Sequence, residues 1–193
     1  MIKNDKWILE KANQGMIQPF ESSLIRKQDD LSVISFGVSS YGYDIRLSPK
    51  EFKIFRHIPG TVIDPKNFNS GNLESTELHT DSNGNYFILP AHSYGLGVAL
   101  EKLEVPDNIT VICIGKSTYA RCGIIANLTP AEAAWRGHLT LEFSNSSSAD
   151  CRIYANEGIV QLLFLEGDPC DVSYETRKGK YQDQQESVTI ARV

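Results

Sequence analysis

Two stretches decide the predicted fold and site: Gly115-Lys116-Ser117-Thr118-Tyr119-Ala120-Arg121-Cys122-Gly123 and, further along, Thr140-Leu141-Glu142-Phe143. The first follows an apolar strand predicted at 109–114, and its leading glycine permits a sharp turn. Ser117 is then placed to cap one helical turn, whose free backbone N–H groups would face an anion. Lys116 and Arg121 add positive charge, and Arg121 shares a helix face with Ser117. The pattern favours a phosphate-binding turn.

The second stretch alternates between apolar and polar side chains, as a half-buried strand does. Leu139, Leu141 and Phe143 are predicted to face one side, while Thr140 and Glu142 face the other. A carboxylate in the middle of a strand is unfavourable, so its presence needs a reason. Glu142 is therefore a candidate functional residue.

Each stretch also has an ordinary structural interpretation. The glycine turn could simply end a strand with Arg121 solvated, and Glu142 could lie on the wet face of an antiparallel sheet. A P-loop is rejected, because it needs another glycine five residues before Gly115, where the sequence has Thr110.

Composition predicts one globular domain, residues 1–193, because 193 residues with 41% hydrophobic content can bury one sizeable core. The formal net charge of −5 argues against nucleic-acid binding, so an anionic ligand would need a local cationic cluster. No apolar run approaches the length of a membrane span, and the N-terminus lacks the apolar core of a signal peptide.

The cysteines point to free thiols in a reducing, cytoplasmic setting. There are four, and no pair has the close spacing of metal ligands: Cys113, Cys122, Cys151 and Cys170. We therefore expect no cysteine-based metal site.

Many short apolar segments separated by turn signals predict an all-β fold, as a sandwich, jelly roll or barrel. Asn4 or Asp5 is predicted to cap a short N-terminal helix, which Gly15 ends. A strand is predicted at 39–48, where the polar residues Asp44 and Arg46 favour an ion pair or a subunit contact over chemistry.

Two further segments are predicted with less regular structure. Residues 50–63 are expected to form one or two short strands broken at Pro59-Gly60, and residues 64–85 a long polar loop or ragged hairpin. The C-terminal segment 170–193 is polar, with aromatic and cationic residues interleaved. It is either a frayed tail or a lid that places Lys180 on a phosphate and a tyrosine ring on a base or sugar.

Residues 115–123 together with 137–145 closely resemble the dCTP deaminase family of the trimeric dUTPase-like superfamily. The likeness covers nearly the whole chain and includes residues 40–46, 154–158 and 179–182. It implies a mainly β subunit with short helices, a distorted jelly roll or β-barrel, that forms a homotrimer with active sites at subunit boundaries.

The resemblance also implies the reaction, hydrolytic deamination of dCTP to dUTP and ammonia, supplying dUTP for dUMP and dTTP synthesis. It implies Mg²⁺ held by the triphosphate, no zinc, no nucleic-acid or membrane partner, and dTTP as a candidate inhibitor. The absence of zinc agrees with the sequence, because none of the four histidines begins the His-x-Glu segment of zinc deaminases.

By motif position, the resemblance assigns roles to individual residues. Glu142 matches the proton-shuttling carboxylate, Ser117 a residue that helps to hold the attacking water, and Arg121 the arginine of the same site. A backbone carbonyl of the Thr129-Pro130 loop could orient that water with Ser117. The residues implied to bind the nucleotide are Lys116, Ser117, Thr118, Tyr119, Ala120, Arg121, Thr140, Leu141, Glu142, Gln161, Tyr174, Lys180 and Gln184.

One residue departs from the pattern, and two other functions remain open. Arg136 stands where an acidic residue is common, which would bear on the trimer contact or the cytosine pocket. A dUTP diphosphatase of the same fold would activate water with an Asp before Gly137, but Glu132 is the only acid in residues 129–137. Glu132 keeps a bifunctional enzyme open; Glu142 and Ser117 argue against a non-catalytic nucleotide sensor.

Overall fold

The computed structural model describes all residues, Met1–Val193, and is mostly β-strand, which confirms the predicted all-β class. The helices are α1 (Asp5–Asn13) and α2 (Ser117–Ala120), and a 3-10 turn lies at Ser70–Asn72. The strands are β1 (Ile17–Gln18), β2 (Ile25–Gln28), β3 (Leu31–Ser39), β4 (Gly42–Phe55), β5 (Leu73–Ser75), β6 (His79–Asp81), β7 (Gly84–Leu89), β8 (Tyr94–Glu104), β9 (Ile109–Gly115), β10 (Ile124–Ala126), β11 (Arg136–Asn145), β12 (Cys151–Tyr154) and β13 (Gly158–Glu166).

The strands form two antiparallel sheets that face each other across one core. The larger sheet has ten strands: six follow the order β10-β11-β8-β4-β13-β9, while β1 pairs with β8, β3 and β5 pair with β4, and β2 pairs with β3. The smaller sheet has the order β12-β7-β6. Phe52 of β4 stacks on Phe87 of β7 and on Phe143 of β11, with ring centroids 5.2 and 6.0 Å apart. Since all three rings are fully or almost fully buried, they join the two sheets.

The N-terminal helix begins and ends where its sequence predicts. The side chain of Asn4 accepts a hydrogen bond from the backbone N–H of Trp7, 3.2 Å away, and this satisfies one free amide of the first turn. Gly15 follows the helix with φ of +100°, a conformation that glycine adopts without steric cost. Ile8 and Ala12 are the buried residues of the helix.

The strand predicted at 39–48 is wrong at its start, because a turn separates two strands there. β3 ends at Ser39 and β4 begins at Gly42, and the two pair as a hairpin. A Cβ on Gly42 would lie 2.6 Å from the carbonyl oxygen of Leu162, so the close approach of β13 requires glycine.

Beyond this hairpin, the predictions for 50–85 are partly wrong. β4 continues to Phe55, and no strand follows it until β5. The segment predicted as a loop or ragged hairpin contains β5, β6 and the start of β7, of which β6 and β7 do form a hairpin. The polar composition gives no strand signal here, because all three residues of β6 are exposed and show no apolar alternation.

None of the helices has the length and apolar character that crossing a lipid bilayer requires.

Candidate active site

Strand β11 presents Glu142 on its polar face, as the alternation predicts. Its residues alternate between half-buried and buried along the whole strand, and Leu139, Leu141 and Phe143 lie in the core. Thr140 and Glu142 point to the opposite side. The neighbouring strands β8 and β10 pair with β11 on either side and so fix its position in the sheet.

The polar face of β11 opens into a cavity of about 460 Å³. Its polar lining comes from Thr140 and Glu142 of β11, the loop 128–132 and the C-terminal segment, and Phe55, Phe68 and Leu96 add apolar surface. The cavity therefore brings together the carboxylate and the Thr129-Pro130 loop that the sequence associates with it. Its lining from the C-terminal segment includes Tyr174, Lys180, Tyr181 and Gln184.

Glu142 has the electrostatic environment of a proton-transfer group. Burial raises its pKa from the ordinary 4.5 to about 7, because the ionised form loses hydration. No lysine or arginine forms an ion pair with it. A carboxyl group with a pKa near neutrality can both accept and donate a proton at physiological pH.

Glu132, the other acid of the cavity, is held differently. Its carboxylate forms an ion pair with Arg177 of the C-terminal segment, and half of its side chain is exposed. The Glu132 carboxylate is thus engaged by a cation, whereas the Glu142 carboxyl group has no such partner. The two acids of the cavity are therefore not equivalent.

The C-terminal segment covers the cavity and is attached to β11. Gln184 forms a parallel bridge with Gly137, and its carbonyl accepts a hydrogen bond from the backbone N–H of His138 at 2.9 Å. The hydroxyl of Thr140 donates to Oε1 of Gln184 at 3.0 Å, and Nε1 of Trp135 donates to the carbonyl of Tyr181 at 2.8 Å. The segment is thus docked rather than frayed.

The predicted helical turn after β9 forms, but Ser117 does not cap it. Lys116 is the N-terminal flanking residue of α2, and Ser117 is the first residue inside the helix. Arg121 does reach the predicted face, since its Nη1 donates to the carbonyl oxygen of Ser117 at 3.1 Å. The strand β9 continues through Gly115, which shifts the start of the helix by one residue relative to the prediction.

Lys116 is nearly buried and forms an ion pair with Asp44 of β4. Its Nζ also lies 3.3 Å from the hydroxyl of Ser35. Burial raises the pKa of Asp44 and Lys116 opposes that rise, while Oδ1 of Asp44 has no hydrogen-bond partner. Gln161 lies beside this pair, because it is the β13 residue opposite Asp44. We call Lys116, Asp44, Gln161 and residues 117–121 the α2 cluster.

An ion pair between Asp44 and Arg46 does not form. Arg46 instead donates to Glu101, which is fully buried, with 2.7 Å between Nε and Oε1. Sequence analysis did not identify Asp44 as the partner of Lys116. The one available signal was that Asp44 lies between Tyr43 and Ile45 in a strand buried on both faces, where a charge needs a partner.

The predicted site residues fall into two groups within one chain. Thr140, Glu142, Tyr174, Lys180 and Gln184 line the cavity, whereas none of Lys116, Ser117, Thr118, Arg121 and Gln161 does. Two predicted contact residues have core side chains: Leu141 is fully buried, and the hydroxyl of Tyr119 accepts a hydrogen bond from the backbone of Tyr154. Contacts of these two with a nucleotide would come from the backbone. Ala120 is exposed on α2.

The structure contains no group of three or more His, Cys, Asp or Glu residues that could hold a metal ion. The four cysteines are free thiols, as predicted.

Known proteins match this chain over most or all of its length. A family model described as dCTP deaminase-like matches residues 2–167. The dCTP deaminase of Pseudomonas fluorescens (strain Pf0-1) is 50% identical over 193 residues, 99% of this chain and 98% of that protein. The dCTP deaminase of Acidovorax sp. (strain JS42) is 51% identical over 185 residues, 95% of each chain.

A solved structure supports the fold independently. The 2′-deoxycytidine 5′-triphosphate deaminase from Agrobacterium tumefaciens superimposes with a TM-score of 0.61 at 16% sequence identity. The match covers 86% of this chain and 48% of that one, so this chain corresponds to about half of the Agrobacterium protein. The match shows a shared fold.

Proposed function

The chain belongs to the dCTP deaminase family, and on that premise we propose that it hydrolyses dCTP to dUTP and ammonia with Glu142 as the proton-transfer group. The observation that carries the proposal is the half-buried carboxyl group of Glu142, which has no cationic partner and a pKa of about 7 and faces a cavity large enough for a nucleoside.

Glu142 would act at each proton transfer of the reaction. Its carboxylate takes a proton from water as the water oxygen attacks C4 of cytosine, and it delivers that proton to N3. The carboxylate then takes the proton of the hydroxyl group on C4 and passes it to the amino nitrogen that leaves. Ammonia departs and a carbonyl forms at C4, so one water is consumed for each dUTP and ammonia. Ser117 and a carbonyl of the Thr129-Pro130 loop would hold the water.

Glu142 is preferred over Glu132 as the base because of their partners. The Glu132 carboxylate forms an ion pair with Arg177, whereas the Glu142 carboxyl group forms none. This preference favours deamination over the alternative, water attack on the triphosphate of dUTP. It also disfavours a bifunctional enzyme, which would need a second activated water.

We infer that the complete site forms between subunits of a homotrimer. The support is that Ser117 and Arg121 lie outside the cavity of Glu142 in a single chain, although the family resemblance places all three at one reaction centre. A neighbouring subunit that presents its α2 cluster to this cavity would join the two groups. Closed rotational symmetry makes each of the three sites equivalent.

The phosphates would be held by cations from both groups: Arg121 and Lys116 of the α2 cluster and Lys180 of the C-terminal segment. Thr118, at the exposed surface of α2, would add a hydroxyl. Tyr174, Lys180 and Gln184 would close over the nucleotide as part of a lid formed by residues 170–193. A dTTP molecule shares the deoxyribose and triphosphate, so it could occupy the same contacts as an inhibitor.

The residues fit a Mg²⁺ ion that arrives with the nucleotide. Mg²⁺ prefers oxygen ligands and commonly binds substrate phosphates with one or two carboxylates. The chain has no cluster of metal ligands, and the only carboxylate of the α2 cluster, Asp44, has one oxygen without a partner. When bound, the ion would neutralise part of the triphosphate charge. We propose that no zinc takes part.

Incubation with dCTP and Mg²⁺, followed by separation of nucleotides, tests the proposal. We expect dUTP and ammonia in equal amounts, without diphosphate. Formation of dUMP and diphosphate would indicate the bifunctional enzyme, and unchanged dCTP would indicate a sensor. Metal analysis of the active protein should find no stoichiometric zinc, and restoration of chelated enzyme by zinc would contradict the mechanism.

A further inference from the structure

Arg136 is the first residue of β11 and connects that strand to the C-terminal segment. Its Nε and Nη2 donate to the two carboxylate oxygens of Asp183, at 2.5 and 3.2 Å. Its Nη1 donates to Glu175 at 2.6 Å. One guanidinium therefore makes a two-point contact with one carboxylate and a third hydrogen bond with another.

The backbone of Arg136 holds the same part of the segment. Its carbonyl oxygen accepts a hydrogen bond from the N–H of Asp183 at 2.9 Å, and its N–H donates to the side chain of Gln182 at 3.2 Å. Side chain and backbone thus fix residues 182 and 183 from two directions. Isolated exposed ion pairs contribute little, but this cluster of charges has the two-point geometry in which they do contribute.

The two carboxylates that Arg136 binds are close in sequence to residues that line the cavity. Lys180 and Tyr181 lie between Glu175 and Asp183 in the sequence, and Gln184 follows directly. Lys180, Tyr181 and Gln184 all line the cavity of Glu142. An arginine that binds both carboxylates therefore sets the position of these three side chains over the site.

Charge neutralisation is a second consequence of the same contacts. Without Arg136, Glu175 and Asp183 would leave two negative charges near the place where Lys180 faces an anionic ligand. Like charges repel a triphosphate, and the arginine removes most of that repulsion.

We propose that Arg136 is a positioning residue for the deamination reaction: it holds residues 175–184 over the cavity and neutralises their acids. The proposal rests on the proposed function of this cavity. Arg136 itself does not line the cavity. Its removal therefore changes substrate binding more than the chemical step.

The test compares Arg136→Ala, Arg136→Lys, Arg136→Glu and the charge-exchanged variant Arg136→Glu/Glu175→Lys/Asp183→Lys with the wild-type enzyme. With two exposed ion pairs lost, we expect Arg136→Ala to raise KM about three- to tenfold, while kcat changes less than about twofold. Arg136→Lys keeps the charge without the two-point geometry and should be intermediate. Charge exchange should return KM to about the wild-type value.

Hydrogen exchange of residues 175–184 supplies a readout that does not depend on activity. Arg136→Ala should speed exchange there, and charge exchange should slow it again. The matched control is Arg152→Ala, which removes an equally exposed arginine from an ion pair with Asp81, away from the C-terminal segment. It should leave KM and exchange of 175–184 unchanged.

Two results would overturn the positioning role: wild-type KM and exchange in Arg136→Ala, or equal damage in Arg136→Glu with and without the two lysines. A wild-type protein that leaves dCTP unchanged would instead refute the proposed function, so the two failures are distinguishable.

Discussion

The two groups of site residues differ in how one chain arranges them. The Glu142 group lies on one strand face with the loop and C-terminal segment above it, and its members share a cavity. The α2 cluster lies outside that cavity, with Lys116 nearly buried against Asp44. The residues around Glu142 thus come together in one cavity of a single chain, whereas the α2 cluster of the same chain lies outside that cavity.

Within one chain, the proton-transfer residue Glu142 is therefore separated from the cations of the α2 cluster. Burial without a cation keeps the pKa of Glu142 near neutrality. A cation placed beside the carboxyl group within the same chain would stabilise the carboxylate and lower that pKa. Supplying the cations from another subunit, toward the phosphates, would leave the carboxyl group able to carry a proton in both directions.

The largest expected effect is that of Glu142→Gln. Glutamine keeps the size and hydrogen-bonding reach but cannot accept the proton of water, so kcat should fall by about 10⁴ or more, the upper end for one acid–base group. Binding of dCTP and the oligomer should persist. Steady-state kinetics and sedimentation check both.

A weaker loss would contradict this assignment. If Glu142→Gln keeps more than about a tenth of the wild-type kcat, the loss is well below the roughly 10²- to 10⁴-fold that a general base supplies. Glu142 is then not the base, and Glu132 becomes the candidate. Ser117→Ala serves as the contrasting variant: it should be slow because the water is poorly placed, although the base remains.

Mixing two inactive variants tests directly whether the two groups of residues meet between subunits. Glu142→Gln and Arg121→Ala each damage one group, so hybrid oligomers should contain sites with both groups intact. With random assembly and one site per subunit boundary, about a quarter of the sites should regain activity. Activity should appear only after the subunits have been exchanged by unfolding and refolding together. Persistent inactivity of verified hybrids would place both groups in a single chain.

The pH dependence reports on the Glu142 group alone. Since the base form is required and its pKa is about 7, kcat/KM should fall about tenfold per pH unit below that value. Glu132→Gln, the matched control, should keep this limb of the profile. A limb centred near 4.5 would show that Glu142 is not held as the structure indicates.

The same pKa has a consequence for stability, with a definite sign. The folded pKa lies above the ordinary 4.5, so the unfolded chain ionises first as the pH rises. The free-energy cost of burying the ionised Glu142 carboxylate is therefore absent below pH 4.5, grows between pH 4.5 and 7, and is complete above pH 7. Thermal unfolding of Glu142→Gln should therefore show a gain over wild type at pH 8, on the order of 2 kcal/mol, and none at pH 4.

The smallest expected effect concerns the C-terminal segment. We predict that residues after about Tyr174 exchange amide hydrogens several-fold more slowly when a dCTP analogue binds, because Tyr174, Lys180 and Gln184 gain contacts. Hydrogen exchange with and without the analogue checks this. Equal rates would mean that the segment is a fixed wall of the cavity and not a lid.

The elements predicted best are those whose signal is local. The cap at Asn4, the stop at Gly15 and the alternation through Glu142 each depend on a few adjacent residues. The start of β4 was predicted incorrectly because the turn before it depends on the approach of β13 to Gly42, which no local pattern contains. The exposed strand β6 was missed for a related reason, since its pairing with β7 rather than its composition makes it a strand.

By itself, the sequence determined the all-β class, the polar face that carries Glu142 and Thr140, and the family to which these motifs belong. Only the tertiary structure decided that Lys116 pairs with Asp44, that Arg136 binds Glu175 and Asp183, and that burial raises the pKa of Glu142. The physical reason is range. Alternation and capping act between residues a few positions apart, whereas ion pairing and desolvation depend on which distant segments the fold places together.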